Sequence, residues 1–298
     1  MAYLRLFGAQ LAVGAAAIFA RFALSGAGPL SVAAWRLALA AFPFLALEAV
    51  RRERGRPPGR RRELALAGAG VALAAHFAGW IASLLYAPVA LSTLLVCTSP
   101  LWSGAFDAWR EGRVPRRPYL AGLALAVAGL ALVLAQRDAP APVPGRLLLG
   151  EALALGGGFA LAVYFALVRA FGNAPRDGAP LPTRAIVART YAWAAIVLSS
   201  ASAFARQAPP PASDWSAWGG ILAMAVVSQG IGHTAMNASL RVFAPAFVAL
   251  TTLLEPPIAA LLAAWIFHET LSPLVCAGAL GVLGGVALAL RAAPAPAP

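Results

Sequence analysis

The chain contains no lysine. All 23 of its basic residues are arginine, and that absence excludes whole classes of chemistry. A phosphate-binding loop of the usual kind needs its Lys, and a pyridoxal or retinal Schiff base forms on an amine; no side chain here supplies either. The chain is therefore not an ATP-driven pump or an opsin by itself. Charge of any sign is scarce, at 11% of residues against about a quarter in an ordinary soluble domain. There are two cysteines, Cys97 and Cys276, and both lie inside apolar segments, as buried thiols do and a disulfide framework does not. The three histidines are His76, His233 and His268, and there is no His-Glu-x-x-His, no Gly-x-Ser-x-Gly and no pair of mid-segment acids. These absences argue against an intramembrane enzyme, and no metal or cofactor is expected.

What the 298 residues have is apolar length: 61% are hydrophobic and the mean hydropathy is +0.77. A spanning helix needs about 20 mostly apolar residues. Ten such runs fall at 5–24, 30–50, 64–86, 88–109, 118–136, 147–169, 183–205, 216–239, 245–267 and 271–291. The first run, with Arg5 ahead and Ser25 and Gly26 behind, has the outline of a signal peptide. Its match to a later segment, described next, argues that it is retained as a span. Arginine sets the orientation, because cytoplasmic loops keep positive charge. Seven arginines lie between Arg51 and Arg62, and four more are Arg110, Arg113, Arg116 and Arg117. With Arg5, Arg169, Arg176, Arg184, Arg241 and Arg291 these make 17 on one side, against Arg137, Arg146 and Arg206 on the other. Both termini are therefore expected in the cytoplasm. The net charge of +12 is a topology signal, not a nucleic-acid patch. The tail 294–298 reads as disordered.

The two halves repeat each other. Pro29-x6-Arg36 opens the second run and Pro182-x6-Arg189 the seventh. His76 and His233, Ala87-Pro88 and Ala244-Pro245, and Pro100 and Pro257 are each 157 residues apart. Gly8 and Gly14 match Gly150 and Gly156, and Glu111, Gly122 and Gly129 are answered by Glu269, Gly278 and Gly285. Five spans per copy is an odd number, so the second copy enters the membrane from the opposite side. The expected architecture is an all-α membrane protein of ten transmembrane helices in two inverted five-helix repeats, residues 1–138 and 139–293. Many secondary transporters expose one midplane site to two sides in this way.

The run Leu254-Glu255-Pro256-Pro257-Ile258-Ala259-Ala260-Leu261-Leu262, then Phe267-His268-Glu269, Gly278 and Gly285, resembles the closing signature of the drug/metabolite transporter superfamily with two EamA-type repeats. Thr98-Ser99-Pro100, Arg110-Glu111, Gly122 and Gly129 resemble the same signature less closely. The resemblance covers nearly the whole chain. It implies ten helices in two inverted repeats and export of amino acids or other small metabolites across the bacterial inner membrane. Within the superfamily the pattern is similar to aromatic amino-acid exporters of the YddG type. One departure is plain: Thr98 stands where the second half has Glu255, so a mechanism built on a symmetric carboxylate pair is in doubt.

Ionisable and polar residues at membrane depth are functional candidates. His76 and Trp80 share a helical face, as do Gln229, His233 and Asn237, and such stripes cannot face lipid. A zwitterion would find donors for its carboxylate and acceptors for its ammonium there, with Trp80 or Trp102 for an apolar side chain. The alternative for each histidine is a tie to a neighbouring backbone carbonyl. Pro88, Pro100, Pro245 and Pro257 are expected to kink or break helices. Ser99-Pro100 and Glu255-Pro256-Pro257 then start half-helices, with Thr98, Ser99 or Glu255 as caps and free N–H groups facing a cavity. Glu255 either carries a proton, binds an amine or serves as a neutral cap. Tyr164 is a further cavity candidate beside Gly156-Gly157-Gly158, whose glycines suit close helix packing. Arg36 and Arg189 stand with His76, His233 and Glu255 among the deep ionisable residues, and for these two a tether that snorkels or bonds carbonyl ends is favoured over a role in the site. The expected cargo is a small molecule, amino acids first, moved by a monomer in the bilayer; a passive facilitator on the same fold remains the alternative.

Overall fold

In a computed structural model, residues 1–50, 59–87, 92, 95–112, 114–134, 143, 145–173, 179–268 and 273–291 are described. Pro88, Arg113, Arg137, Arg176, Glu269, the boundary at 138/139 and the 294–298 tail lie outside them, as do most arginines of the 51–62 cluster. Apolar sequence in lipid must satisfy its backbone internally, and a chain without alternating strand patterns does so as helix. The helices are α1 (Ala2–Gly14), α2 (Ala16–Ala23), α3 (Pro29–Val50), α4 (Arg60–Ser83), α5 (Ser99–Glu111), α6 (Arg117–Leu134), α7 (Leu147–Leu167), α8 (Thr183–Phe204), α9 (Trp215–Ala223), α10 (Thr234–Ser239), α11 (Pro245–Thr251), α12 (Glu255–Phe267) and α13 (Pro273–Leu290). No strand occurs among the described residues.

Among the described residues, six helical stretches are long and apolar enough to cross a membrane: Ala2–Ala23, Pro29–Val50, Arg60–Ser83, Leu147–Asn173, Thr183–Phe204 and Pro245–Ile266. Arg117–Leu132 and Cys276–Ala289 are shorter apolar stretches. Several stretches are internally broken. A π-helical segment, Met224–His233, joins α9 to α10, and the 3-10 turn Thr252–Leu254 joins α11 to α12. Departures of the first kind recur at functional sites.

Proline explains most of the starts. Pro29 and Pro273 open α3 and α13, while Pro100, Pro245 and the Pro256-Pro257 pair stand in the first turns of α5, α11 and α12. The missing N–H costs nothing there. Pro100, Pro245 and Pro257 thus begin helices after a break, the second of the two outcomes expected of them, and Ser99-Pro100 and Glu255-Pro256-Pro257 open helices as the sequence suggests. Pro43 alone is reported inside a described helix, α3. Gly112, at φ +67°, closes α5 in the left-handed conformation that glycine adopts without strain.

Between lipid-facing helices apolar burial supplies little drive, so close van der Waals approach through small residues takes over. The most extensive packing joins α6 to α13, α3 to α8, and α4 to α7; α1 and α2 lie along the stretch formed by α9, the π segment and α10, and α5 lies against α11. At the α6–α13 crossing a Cβ on Gly285 would sit 2.5 Å from the Gly122 carbonyl oxygen, and one on Gly129 2.5 Å from that of Gly278. The helices touch backbone to backbone, and only glycine permits it. Polar ties fix the ends: Asp107 on α5 accepts from the Ala246 N–H at 2.9 Å, and the Tyr119 hydroxyl donates to the Pro100 carbonyl at 3.1 Å. One buried cluster centres on α1, α3, α4, α7, α8 and the π segment, and a second on α6, α11 and α13.

Candidate functional site

A cavity of about 40 Å³ lies where the broken stretches meet. A water needs roughly 10–15 Å³ on this measure, so the enclosed space holds a few waters and is smaller than an amino acid. Its walls include Gly14 of α1, Arg36 of α3, His76, Phe77 and Trp80 of α4, Cys97, His233 at the end of the π segment, Thr252 of the 3-10 turn and Glu255 at the start of α12. Every group is delivered by a local feature of the sequence. Arg36 stands two turns into the helix that Pro29 starts, and Glu255 sits at the head of the helix that its two following prolines define.

The histidines approach each other. Their ring centroids are 6.5 Å apart, and the Phe77 ring stands edge-on to His233 at 5.3 Å. His76 Nδ1 lies 3.0 Å from the Gly157 carbonyl oxygen. Because that oxygen only accepts, we assign the proton to Nδ1, which leaves Nε2 as an acceptor. His76 therefore makes the carbonyl tie and lines the cavity at once. His233 Nδ1 and the Trp80 indole N–H are buried without a partner.

Arg36 is the feature that sequence reasoning placed elsewhere. It was read as a snorkelling tether, yet the residue is 0% exposed and none of its three guanidinium nitrogens has a hydrogen-bond partner. The Phe77 ring supports it, its centroid 4.1 Å from Cζ, a cation–π contact. Its counterpart Arg189 does act as a tether, donating to Glu63 at 2.9 Å and lying 3.8 Å from Glu48.

The remaining candidates lie outside the cavity walls. Tyr164 and Asn237 bond each other, hydroxyl to Oδ1 at 2.8 Å, and Asn237 Nδ2 donates to the His233 carbonyl at 2.8 Å. Asn173 adds a bond to the Asn237 carbonyl at 2.7 Å. This buried chain of amides pins the π segment and α10 to α7. Trp102 is partly exposed, its ring 5.6 Å from Phe159 and its N–H 3.3 Å from Thr98 Oγ1. Ser99 is fully buried, its hydroxyl unpartnered. Thr98 occupies the N-cap position of α5 without capping it; its hydroxyl donates to the Leu95 carbonyl at 2.7 Å. Glu255 lies in the first turn of α12, one residue past the N-cap position held by Leu254. Beyond the candidates, Cys97 Sγ approaches the Thr252 carbonyl at 3.9 Å, linking the turns that precede α5 and α12.

A helical bundle with broken stretches around a small polar cavity is the form of a membrane transporter, and comparison with known proteins agrees. The model of the EamA-like transporter family matches twice, over residues 1–135 and 148–291. The chain belongs to that family, within the drug/metabolite transporter superfamily. A solved crystal structure, described only as that of a protein, covers 97% of this chain and 96% of its own length with a TM-score of 0.76. At 20% identity that likeness shows the fold alone. No curated protein matches the chain.

Proposed function

We propose that the protein is a secondary transporter that exports small metabolites, amino acids including aromatic ones first among them, by alternating access around the central cavity. The observation that carries the reading is the cavity itself, a mostly apolar site into whose wall His76, Trp80, His233 and Glu255 bring polar groups at the meeting of the broken stretches. Ten spans in two inverted repeats, divided near 138/139, are part of the proposal. The packing supports it: counting spans along the chain, the neighbour pattern is unchanged when each span is exchanged for the one five places on. Fifth meets tenth, second meets seventh, fourth meets ninth, and the third-to-sixth contact answers the first-to-eighth. The excess of arginine in the loops of one side supports cytoplasmic termini; a bacterial inner membrane and a single chain as the working unit complete the proposal. At about 40 Å³ the cavity is smaller than an amino acid, so cargo entry requires the surrounding helices to move apart.

The test is uptake into proteoliposomes containing only this protein, with labelled phenylalanine against other amino acids, nucleosides and cationic dyes, each with and without a pH gradient. Saturable phenylalanine flux, competed by tyrosine and tryptophan, is the expected result and fits exporters of the YddG type. Flux of another class alone discards the amino-acid assignment. A flux indifferent to the gradient makes the protein a facilitator.

A further inference from the structure

We infer that Arg36 is the anchor for a carboxylate on the transported molecule, so that the cavity selects zwitterions and excludes the corresponding amines. The inference rests on the reading of the cavity as the transport site and adds the residue and the chemical group by which cargo is chosen. A guanidinium is charged at every accessible pH and offers five donors in a planar fork. Burying one without acceptors is among the costliest arrangements in a protein, and buried polar groups are otherwise almost always bonded. Here the fork is wholly buried, borders the cavity and has no hydrogen-bond partner among the described residues. Phe77 holds it by one face, leaving the donor edge for a planar anion, which a carboxylate fits in the bidentate manner.

Glu255 lines the same cavity, yet the empty fork shows that the two do not bond each other. A molecule carrying both charges can place its carboxylate on Arg36 and its ammonium on Glu255, two groups of the same wall. The unpartnered Trp80 indole N–H supplies one more donor in the same wall.

The test measures binding by tryptophan fluorescence and transport by counterflow for phenylalanine, phenylalaninamide, phenylacetate and phenyl phosphate. Wild type, Arg36→Gln and Arg36→Lys are compared, with the melting temperature of each in detergent. Phenylalanine is expected to bind at least tenfold more tightly than its amide. Arg36→Gln is expected to bring phenylalanine down to the level of the amide, leave the amide unchanged and leave the melting temperature unchanged or higher. Arg36→Lys, which keeps the charge and loses the fork, falls between. Equal binding of acid and amide by the wild type overturns the inference, as does equal weakening of both by Arg36→Gln. So does a fall in melting temperature without a change in selectivity, the signature of a structural tether. Arg36-dependent binding of phenylacetate or phenyl phosphate, but not phenylalanine, upholds the anion anchor and discards the amino-acid reading. Absence of Arg36-dependent binding for every carboxylate and phosphate overturns the inference itself.

Discussion

Arg36 and Arg189 occupy matched places, each seven residues after the proline that introduces its helix, and they lead opposite lives. Arg189 reaches Glu63 and Glu48 at a partly exposed rim, where Arg184 also pairs with Glu48 at 2.9 Å. Arg36 is sealed inside with no carboxylate on its fork. Carried across the repeat, the positions of Glu48 and Glu63 fall on Ala201 and Gly220. The first half thus lacks for Arg36 the acids that quench Arg189, and a duplicated tether is left as an open binding group. A similar division separates Trp80 from Asn237, 157 residues apart: one indole N–H is unpartnered at the cavity, while the amide is fully engaged in the bonds that pin its helix.

The comparison can be broken first where the halves are alike. Gly122 and Gly285 face each other at the α6–α13 crossing with no room for a Cβ, so Gly122→Val and Gly285→Val should each cost about 3 kcal/mol, read as matching losses in melting temperature. A large loss at one and none at the other would contradict their equivalence. Gly8, with nothing within 4 Å of its missing Cβ, should accept alanine and serves as the control. Where the halves meet at the site, His76→Ala removes both a wall and an acceptor. Phenylalanine flux should fall about tenfold, equivalent to ~1.4 kcal/mol, at equal protein in the membrane; normal flux would remove His76 from the site.

Two smaller effects sharpen the contrast between binding and bracing. Tyr164→Phe deprives Asn237 Oδ1 of its donor and should lower stability by about 1 kcal/mol while leaving flux and substrate preference intact. A change in preference without a change in stability would move Tyr164 into the cavity wall. Arg189→Gln breaks a rim ion pair and should cost less than about 1 kcal/mol, with flux per molecule unchanged. Loss of flux there would erase the distinction from Arg36.

Much of the scaffold was legible in the sequence because it depends on composition and spacing. The apolar runs, the Pro29 and Pro182 starts and the glycine pairs at 122, 129, 278 and 285 each act through a local physical rule. The histidines were legible as well, since equal spacing in two copies brings them near one axis. The proline effect was only half legible: residues such as Pro245 and Pro257 break a span, but whether the break is a kink or a fresh helix start depends on the preceding turn, as at Thr252–Leu254. Tyr164 and Asn237 were read as separate cavity groups because their mutual bond joins helices far apart in sequence. Arg36 was misplaced because depth along a helix does not reveal which side chains surround it. The missing signal was the comparison of halves, in which the acids that pair with Arg189, Glu48 and Glu63, have no acidic counterpart beside Arg36.

The claim that this cavity is the transport site has a direct test in the protein's own thiols. Cys97 is buried in the cavity wall and Cys276 is exposed, so with Cys276 replaced by serine a small membrane-permeant maleimide reports on Cys97 alone. Labelling of Cys97 should be slow, should be slowed further by saturating phenylalanine and should abolish phenylalanine flux. Labelling that phenylalanine does not slow, on protein that still transports at the unlabelled rate, would contradict the account.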